Sequence, residues 1–404
     1  MPEKLPLWAG RTLALTGIIL LAFGLRSAVA ALSPILTKLS AEVPLSPLVV
    51  GFLGMLPPLC FAIFGVLTPL VVKRWGLEAS VIVTLSALTV GLAGRGFITS
   101  AAALIAMDTL TFAAMGVGNV LLPPLVKRYF SDRIGLVTTV YSVAISLSAL
   151  IPPLVAVPVA DAAGWRVSLG MWAAITAIAL VPWIALIVHP RRANIAAVAD
   201  ANPRQFRALL RSPIAWSLIG VFTVSGFNAY AMFAWLPTVL IEAAGSSAAE
   251  AGALLALYAA MGLPAGLLVP IIAARFGRIA VLIGFAMLCH IVGYLGILVF
   301  PTYVTWLWVL LIGLSLLTFP LSLVLINLRA RTHQGSAALS GFMQSIGYLV
   351  IAVGPLGVGV LHDISGGWVW PLLLLTASAV PAIVAAPILA KRRFIEDESD
   401  VVAR

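Results

Sequence analysis

Charge is scarce in this chain. Asp, Glu, Lys and Arg together make up 9% of its 404 residues, where a soluble domain carries about 25%. Too few ionised groups remain to cover a water-exposed surface, which excludes an ordinary soluble domain. Cysteine is almost absent. Cys60 and Cys289 each sit inside an apolar run and read as small buried hydrophobes, which excludes a disulfide framework. No cluster of His, Cys, Asp and Glu has metal-ligand spacing. The Gly-x-x-x-x-Gly-Lys-Ser/Thr phosphate loop is missing, so nothing supports ATP hydrolysis. No metal, no cofactor and no catalytic residue is expected, and energy for uphill work has to come from gradients. A membrane enzyme or receptor is disfavoured because several intramembrane acid, base or metal groups are lacking.

What is present in abundance is hydrocarbon. Hydrophobic residues make up 62%, and the mean hydropathy is +1.13. A membrane-spanning helix needs about 20 apolar residues, and twelve such runs occur. The first six lie at 11–33, 48–72, 78–97, 101–126, 136–160 and 166–188; the second six at 214–241, 249–274, 279–300, 303–328, 336–361 and 369–390. The first run is of spanning length and has no small-residue cleavage site after it, so no removable signal peptide is expected. The net charge of +10 does not point to nucleic acid, because no basic segment carries interleaved aromatics. Instead the basic residues mark topology. Apart from Lys38, Arg95 and Arg166 on the opposite face, and Arg26 inside the first span, every Lys and Arg falls on one face. The positive-inside rule places that face, both termini and the Arg-rich 189–213 segment in the cytoplasm of a bacterial-type inner membrane. The lipid bilayer is thus one partner; a monomer is expected.

An internal repeat divides the chain. Gly65-x-x-x-Pro69-x-x-x-x-Arg74-x-Gly76 recurs as Gly266-x-x-x-Pro270-x-x-x-x-Arg275-x-Gly277, and Gly51 maps onto Gly252. Asp161-Ala-Ala-Gly164-Trp165 matches Asp363-Ile-Ser-Gly-Gly367-Trp368, and Gly116 and Pro123 match Gly313 and Pro320. The expected organisation is an N-terminal six-helix bundle over 1–188, a cytoplasmic linker over 189–213, and a C-terminal six-helix bundle over 214–404 with a short tail. Such halves suit a transporter that opens a central cavity to alternate sides.

The repeated loop motif resembles the Gly-x-x-x-Asp-Arg-x-Gly signature of the major facilitator superfamily, although Lys73 and Ala274 stand at its acidic position. Further stretches resemble the cyanate/nitroimidazole transporter branch of that superfamily: GLRSAV from Gly24, GNVLLPPLVKRYF from Gly118, FAWLPTVL from Phe233, LRARTHQGSAALSGFMQSIGYLV from Leu328 and GPLGVGVLHD from Gly354. The resemblance implies an all-α membrane protein of two pseudo-symmetric six-helix bundles. It also implies a cavity lined by spans 1, 4, 7 and 10, and a secondary transporter of a small anion or compact heteroaromatic solute. A multidrug-type exporter of apolar compounds on the same fold is the alternative.

Charged groups inside a span are costly, at roughly 2.5–3.5 kcal/mol at mid-helix, and need a partner or a function. Two lie well inside a span on these boundaries, Arg26 and Asp108. In one reading Arg26 grips the solute with its planar donor fork, and Asp108 accepts a coupling proton. In a second, their similar depth makes them an ion pair with a structural or gating role. In a third, Asp108 is simply solvated near the outer surface. Asn119 can bond solute or satisfy backbone before Pro123 and Pro124. Asn228, Tyr230 and Phe233 form a span-7 cluster suited to a planar solute or to aromatic packing. Phe319 is a cavity wall or core. Gln344 and Tyr348 share a face of span 11, with Tyr141 opposite Gln344 by the repeat; each bonds solute or a neighbouring helix. His290 reads as helix packing, and His189, His333 and His362 as solvated. Prolines within spans, among them Pro264 and Pro320, read as hinges or static bends.

Overall fold

The computed structural model describes residues 11–188 and 208–402. Twelve of its helices are long and apolar enough to cross a membrane: α1 (Thr12–Ser40), α2 (Pro47–Trp75), α3 (Leu77–Phe97), α4 (Ala101–Tyr129), α5 (Ile134–Ala163), α6 (Trp165–Ile187), α7 (Pro213–Ala244), α8 (Ala248–Ala273), α9 (Ile279–Val299), α10 (Thr305–Leu328), α11 (Gln334–Ser365) and α12 (Val369–Ala390). Lipid cannot satisfy backbone polar groups, so each crossing segment closes its own hydrogen bonds as a helix. Several helices outrun the apolar windows that announced them. α1 runs on to Ser40 because Pro34 sits in the first turn of a short 3₁₀ segment, where its missing N–H costs nothing. Lys38 is therefore helical rather than in a loop, and it pairs with Asp161.

Prolines act unequally. α2, α5 and α11 continue through Pro57, Pro58, Pro152, Pro153 and Pro355. α8 breaks at Met261 between Ala260 and Gly262, and α10 tightens to 3₁₀ geometry over Ser315–Leu317. Both interruptions lie three to five residues before Pro264 and Pro320, where a proline ring displaces the preceding turn.

The repeat has a structural cause. Gly76 and Gly277 end α2 and the helix through Phe276 at φ of 81° and 60°, and Gly164 and Gly366 lie between α5 and α6 and between α11 and α12 at 84° and 64°. Only glycine adopts that left-handed region without strain. The match is shifted by one residue in its second copy, from the expected Gly367 to Gly366.

The described chain clusters into two compact units. One comprises Met1–Val49, Leu59–Val198 and Ala248–Ala256; the other comprises Val50–Pro58, Ala199–Ser247 and Leu257–Arg404. Of the linker expected at 189–213, residues 189–207 lie outside the described residues. Within the second unit α7 is the most enclosed helix, with 78% of its central window buried against 33% for α12.

Small residues let helices meet closely where lipid gives no hydrophobic drive. A Cβ on Gly252 would stand 2.7 Å from the Pro153 carbonyl in the first unit, and one on Gly51 would stand 3.0 Å from the Pro355 carbonyl in the second. Backbone carbonyls cannot swing aside. Gly252→Ala is therefore expected to cost about 1–3 kcal/mol, seen as a lowered thermal midpoint in detergent. Gly284→Ala, where a Cβ meets nothing within 4 Å, is the control; equal midpoints would refute the packing account.

The helix ends carry ion pairs. Arg11 donates to both carboxylate oxygens of Asp132, at 2.6 and 3.2 Å, and to the Tyr129 carbonyl. The Arg11 hydrogen bonds hold the Asp132 carboxyl below its ordinary range. A depressed carboxyl contributes stability above its unfolded value, about 3.9, and that contribution is lost as pH falls through the folded value. Asp132→Asn should thus lose less stability than the parent on acidification below about pH 4, measured by thermal unfolding across a pH series. The expected C-terminal tail is not simply extended. α13 (Ile395–Val402) begins with Glu396, Asp397 and Glu398, acids suited to a helix N-terminus. Glu396 accepts from the Arg331 and Thr332 N–H groups, Asp397 pairs with Arg331 at 2.8 Å, and Glu398 meets Ser212.

Candidate functional site

The first span is discontinuous where its arginine sits. Regular helix ends at Gly24 and resumes at Ser27. The Leu25 N–H reaches back only to the Ala22 carbonyl, at 3.2 Å. The Arg26 N–H, left without an intrahelical acceptor, donates to the buried Ser148 Oγ of α5 at 2.9 Å. An unpaired N–H in hydrocarbon would cost several kcal/mol, so Ser148 permits the break. Gly24 lets the broken segment press against α6, where a Cβ would come within 2.9 Å of Thr176.

Arg26 is half-buried. Its guanidinium lies 5.0 Å from the centre of the Phe61 ring of α2, and Nη1 donates weakly to the adjacent Leu25 carbonyl at 3.4 Å. No carboxylate among the described residues pairs with it. A guanidinium over a ring face is held by cation–π attraction while most of its donor fork stays available.

The expected pairing of Arg26 with Asp108 is wrong, and so is a solvated Asp108. Asp108 and Arg95 both have fully buried side chains, with Arg95 Nε 2.7 Å from Asp108 Oδ1. The contact lacks hydrogen-bond alignment, and Arg95 Nη2 and Asp108 Oδ2 have no hydrogen-bond partner. It is an ion pair held by charge. Arg95 Nη1 donates to the Ala28 carbonyl at 3.1 Å, just past the break in α1. Charge counting assigned Arg95 to the outer face, at the end of the third span. In the fold it opens the 3₁₀ turn that ends α3, and Gly91 and Gly94 bring α3 against Thr111 and Met107 of α4. That close hairpin swings a long side chain inward onto Asp108. The glycines flanking Arg95 were the available sequence signal.

The remaining candidates separate. Asn119 is half-buried and turns its amide to the Met115 carbonyl at 2.9 Å, one turn back along α4. The span-7 cluster does not hold together. Asn228 is buried and donates to the Val224 carbonyl and to Ser378 Oγ of α12, at 2.7 and 2.8 Å. Phe233 instead meets the Tyr258 ring of α8 at 5.9 Å, and Tyr230 is buried. At about 100° per residue, Asn228 points ~160° from Tyr230 and ~140° from Phe233. Phe319 and Tyr348 are brought together through a residue not anticipated, Phe222 of α7, whose ring lies 5.7 and 5.3 Å from theirs. Gln344 donates to Ser340 on its own helix at 2.8 Å, and Tyr141 is half-buried.

Among the histidines, His290 is buried with Nε2 2.8 Å from the Leu375 carbonyl. A carbonyl only accepts, so Nε2 carries the proton and the ring packs α9 to α12. His362 is half-buried rather than solvated: its ring lies tilted 4.1 Å from that of Trp368, and it meets Glu242 at 3.3 Å. His189 and the side chain of His333 lie outside the described residues.

The Major Facilitator Superfamily model matches residues 15–355. The 2-nitroimidazole transporter of Escherichia coli (strain K12) is 32% identical, with 90% of this chain and 91% of that protein covered. The cyanate transport protein CynX of the same strain is 28% identical, covering 92% and 96%. Among solved structures, a bacterial homolog of the human lysosomal transporter Spinster, inward-facing and unoccupied, superposes with a TM-score of 0.73 at 15% identity, over 98% of this chain and 99% of that one.

Proposed function

The chain belongs to the Major Facilitator Superfamily and is a multi-pass secondary transporter of a small solute rather than an enzyme, and from that premise we propose that its solute is a small organic or inorganic anion or a compact heteroaromatic. The observation that carries the proposal is Arg26. A cation is retained within the first span, at a broken helix, with no carboxylate partner among the described residues. A planar fork of donors over an aromatic ring suits a small flat solute that is anionic or electron-rich. The two relatives named above are described as carrying 2-nitroimidazole and cyanate, both of that kind.

In this reading the chain works by alternating access in a bacterial-type inner membrane, as a monomer with both termini cytoplasmic. Protons are the proposed coupling ion. Asp108 is the acceptor or gate, since its protonation would remove the counter-ion of Arg95. The test is uptake of labelled cyanate and of 2-nitroimidazole into proteoliposomes, with and without an inward pH gradient. Saturable uptake of either probe supports the solute class. Failure with both, together with transport of an apolar dye, would favour a multidrug-type exporter. Accumulation indifferent to the gradient would remove the proton and with it the coupling role of Asp108.

A further inference from the structure

We infer that Arg95 is a positioning residue of the solute site, holding through the Ala28 carbonyl the helix break from which Arg26 presents its guanidinium. The inference rests on the reading of Arg26 given above, and extends it to a residue that charge counting used only as a marker of the outer face.

The geometry supplies the reason. Leu25 and Arg26 interrupt the regular helical hydrogen bonding of α1, and the chain around them is fixed from outside. Ser148 holds it at the Arg26 N–H, at 2.9 Å, and Arg95 Nη1 holds it at the Ala28 carbonyl, at 3.1 Å. The two anchors flank the Cα of Arg26 on either side along the chain. Shifting one of them changes where the guanidinium emerges. Arg95 is fixed in turn by Asp108, which is fully buried like itself. A buried ion pair is weak as a source of stability, because hydrophobic side chains of similar volume would serve as well or better. Its use here is directional. A guanidinium offers separate nitrogens, so Nε faces Asp108 while Nη1 faces Ala28. A lysine has one ammonium at the end of a narrow stem and cannot span both positions in that planar arrangement.

Arg95→Lys keeps the charge and the Asp108 pair while loosening the hold on Ala28. Should that variant fold poorly, Arg95→Leu/Asp108→Leu removes both buried charges together and serves instead for the labelling comparison alone, because Asp108 carries the proposed coupling role. Two readouts are used. The first is KM and kcat for cyanate and 2-nitroimidazole in proteoliposomes. The second is independent of transport. In a background with Cys60→Ala and Cys289→Ala, a cysteine replaces Arg26, and its labelling rate by a water-soluble methanethiosulfonate is compared with and without the Arg95 substitution. We expect KM to rise roughly tenfold with kcat held, the scale of one weakened charge-assisted bond, and the labelling rate to change. A purely structural Arg95 would lower the thermal midpoint or yield while KM and labelling stayed put, and that result overturns the inference. If the unsubstituted chain transports neither probe, the solute reading fails, and the labelling comparison alone decides the positioning role.

Discussion

Arg26→Ala is expected to raise KM for the transported anion about 10- to 100-fold, with unchanged expression and thermal stability. The magnitude is that of a hydrogen bond to a charged group, roughly 1.5–3 kcal/mol. The unchanged stability follows from the surroundings. Arg26 pairs with no carboxylate among the described residues, so its loss strands no buried charge, and only the contact with Phe61 and the weak bond to the Leu25 carbonyl disappear. Arg26→Lys should fall between, because it keeps a charge and loses the fork. Binding by thermal shift and KM in proteoliposomes both report the effect. Parent-like KM values in both variants would mean that the guanidinium does not touch solute.

Asp108 should behave in the opposite way, through stability first. Asp108→Ala leaves Arg95 charged, fully buried and without a counter-ion. Breaking a buried pair from one side typically costs about 3–5 kcal/mol. Arg95→Leu/Asp108→Leu should regain most of that cost, because no unpaired charge remains in hydrocarbon. The comparison needs only unfolding midpoints of the two variants and the parent. Equal destabilisation by the single and double changes would show that the pair's electrostatics do not govern its energetics. For the same reason, loss of transport in Asp108→Asn would not by itself establish proton coupling, whereas an unchanged response to a pH gradient would count against it.

The sequence exposed some things and hid others in a consistent way. Gly76, Gly277 and Gly164 could be read as landmarks because a left-handed turn demands glycine locally. Asn228 and Phe233 could not be read as one site, because they leave the helix ~140° apart and find separate partners in α12 and α8. Phe222 went unnoticed since nothing local distinguishes it; only the meeting of α7, α10 and α11 joins its ring to Phe319 and Tyr348. His362 was read as solvated from its place near a helix end, yet Trp368 and Glu242 partly cover it.

By itself the sequence determined that this protein lives in lipid and crosses it twelve times. Hydrocarbon tolerates only long apolar helices, and that constraint is written residue by residue along the chain. Tertiary structure alone decided which charge answers which. The partner of Asp108 depended on how closely α3 packs on α4 and on where α1 loses its helical hydrogen bonds. Depth along a helix is a one-dimensional quantity that sequence records. The direction in which a side chain leaves that helix is set by its neighbours.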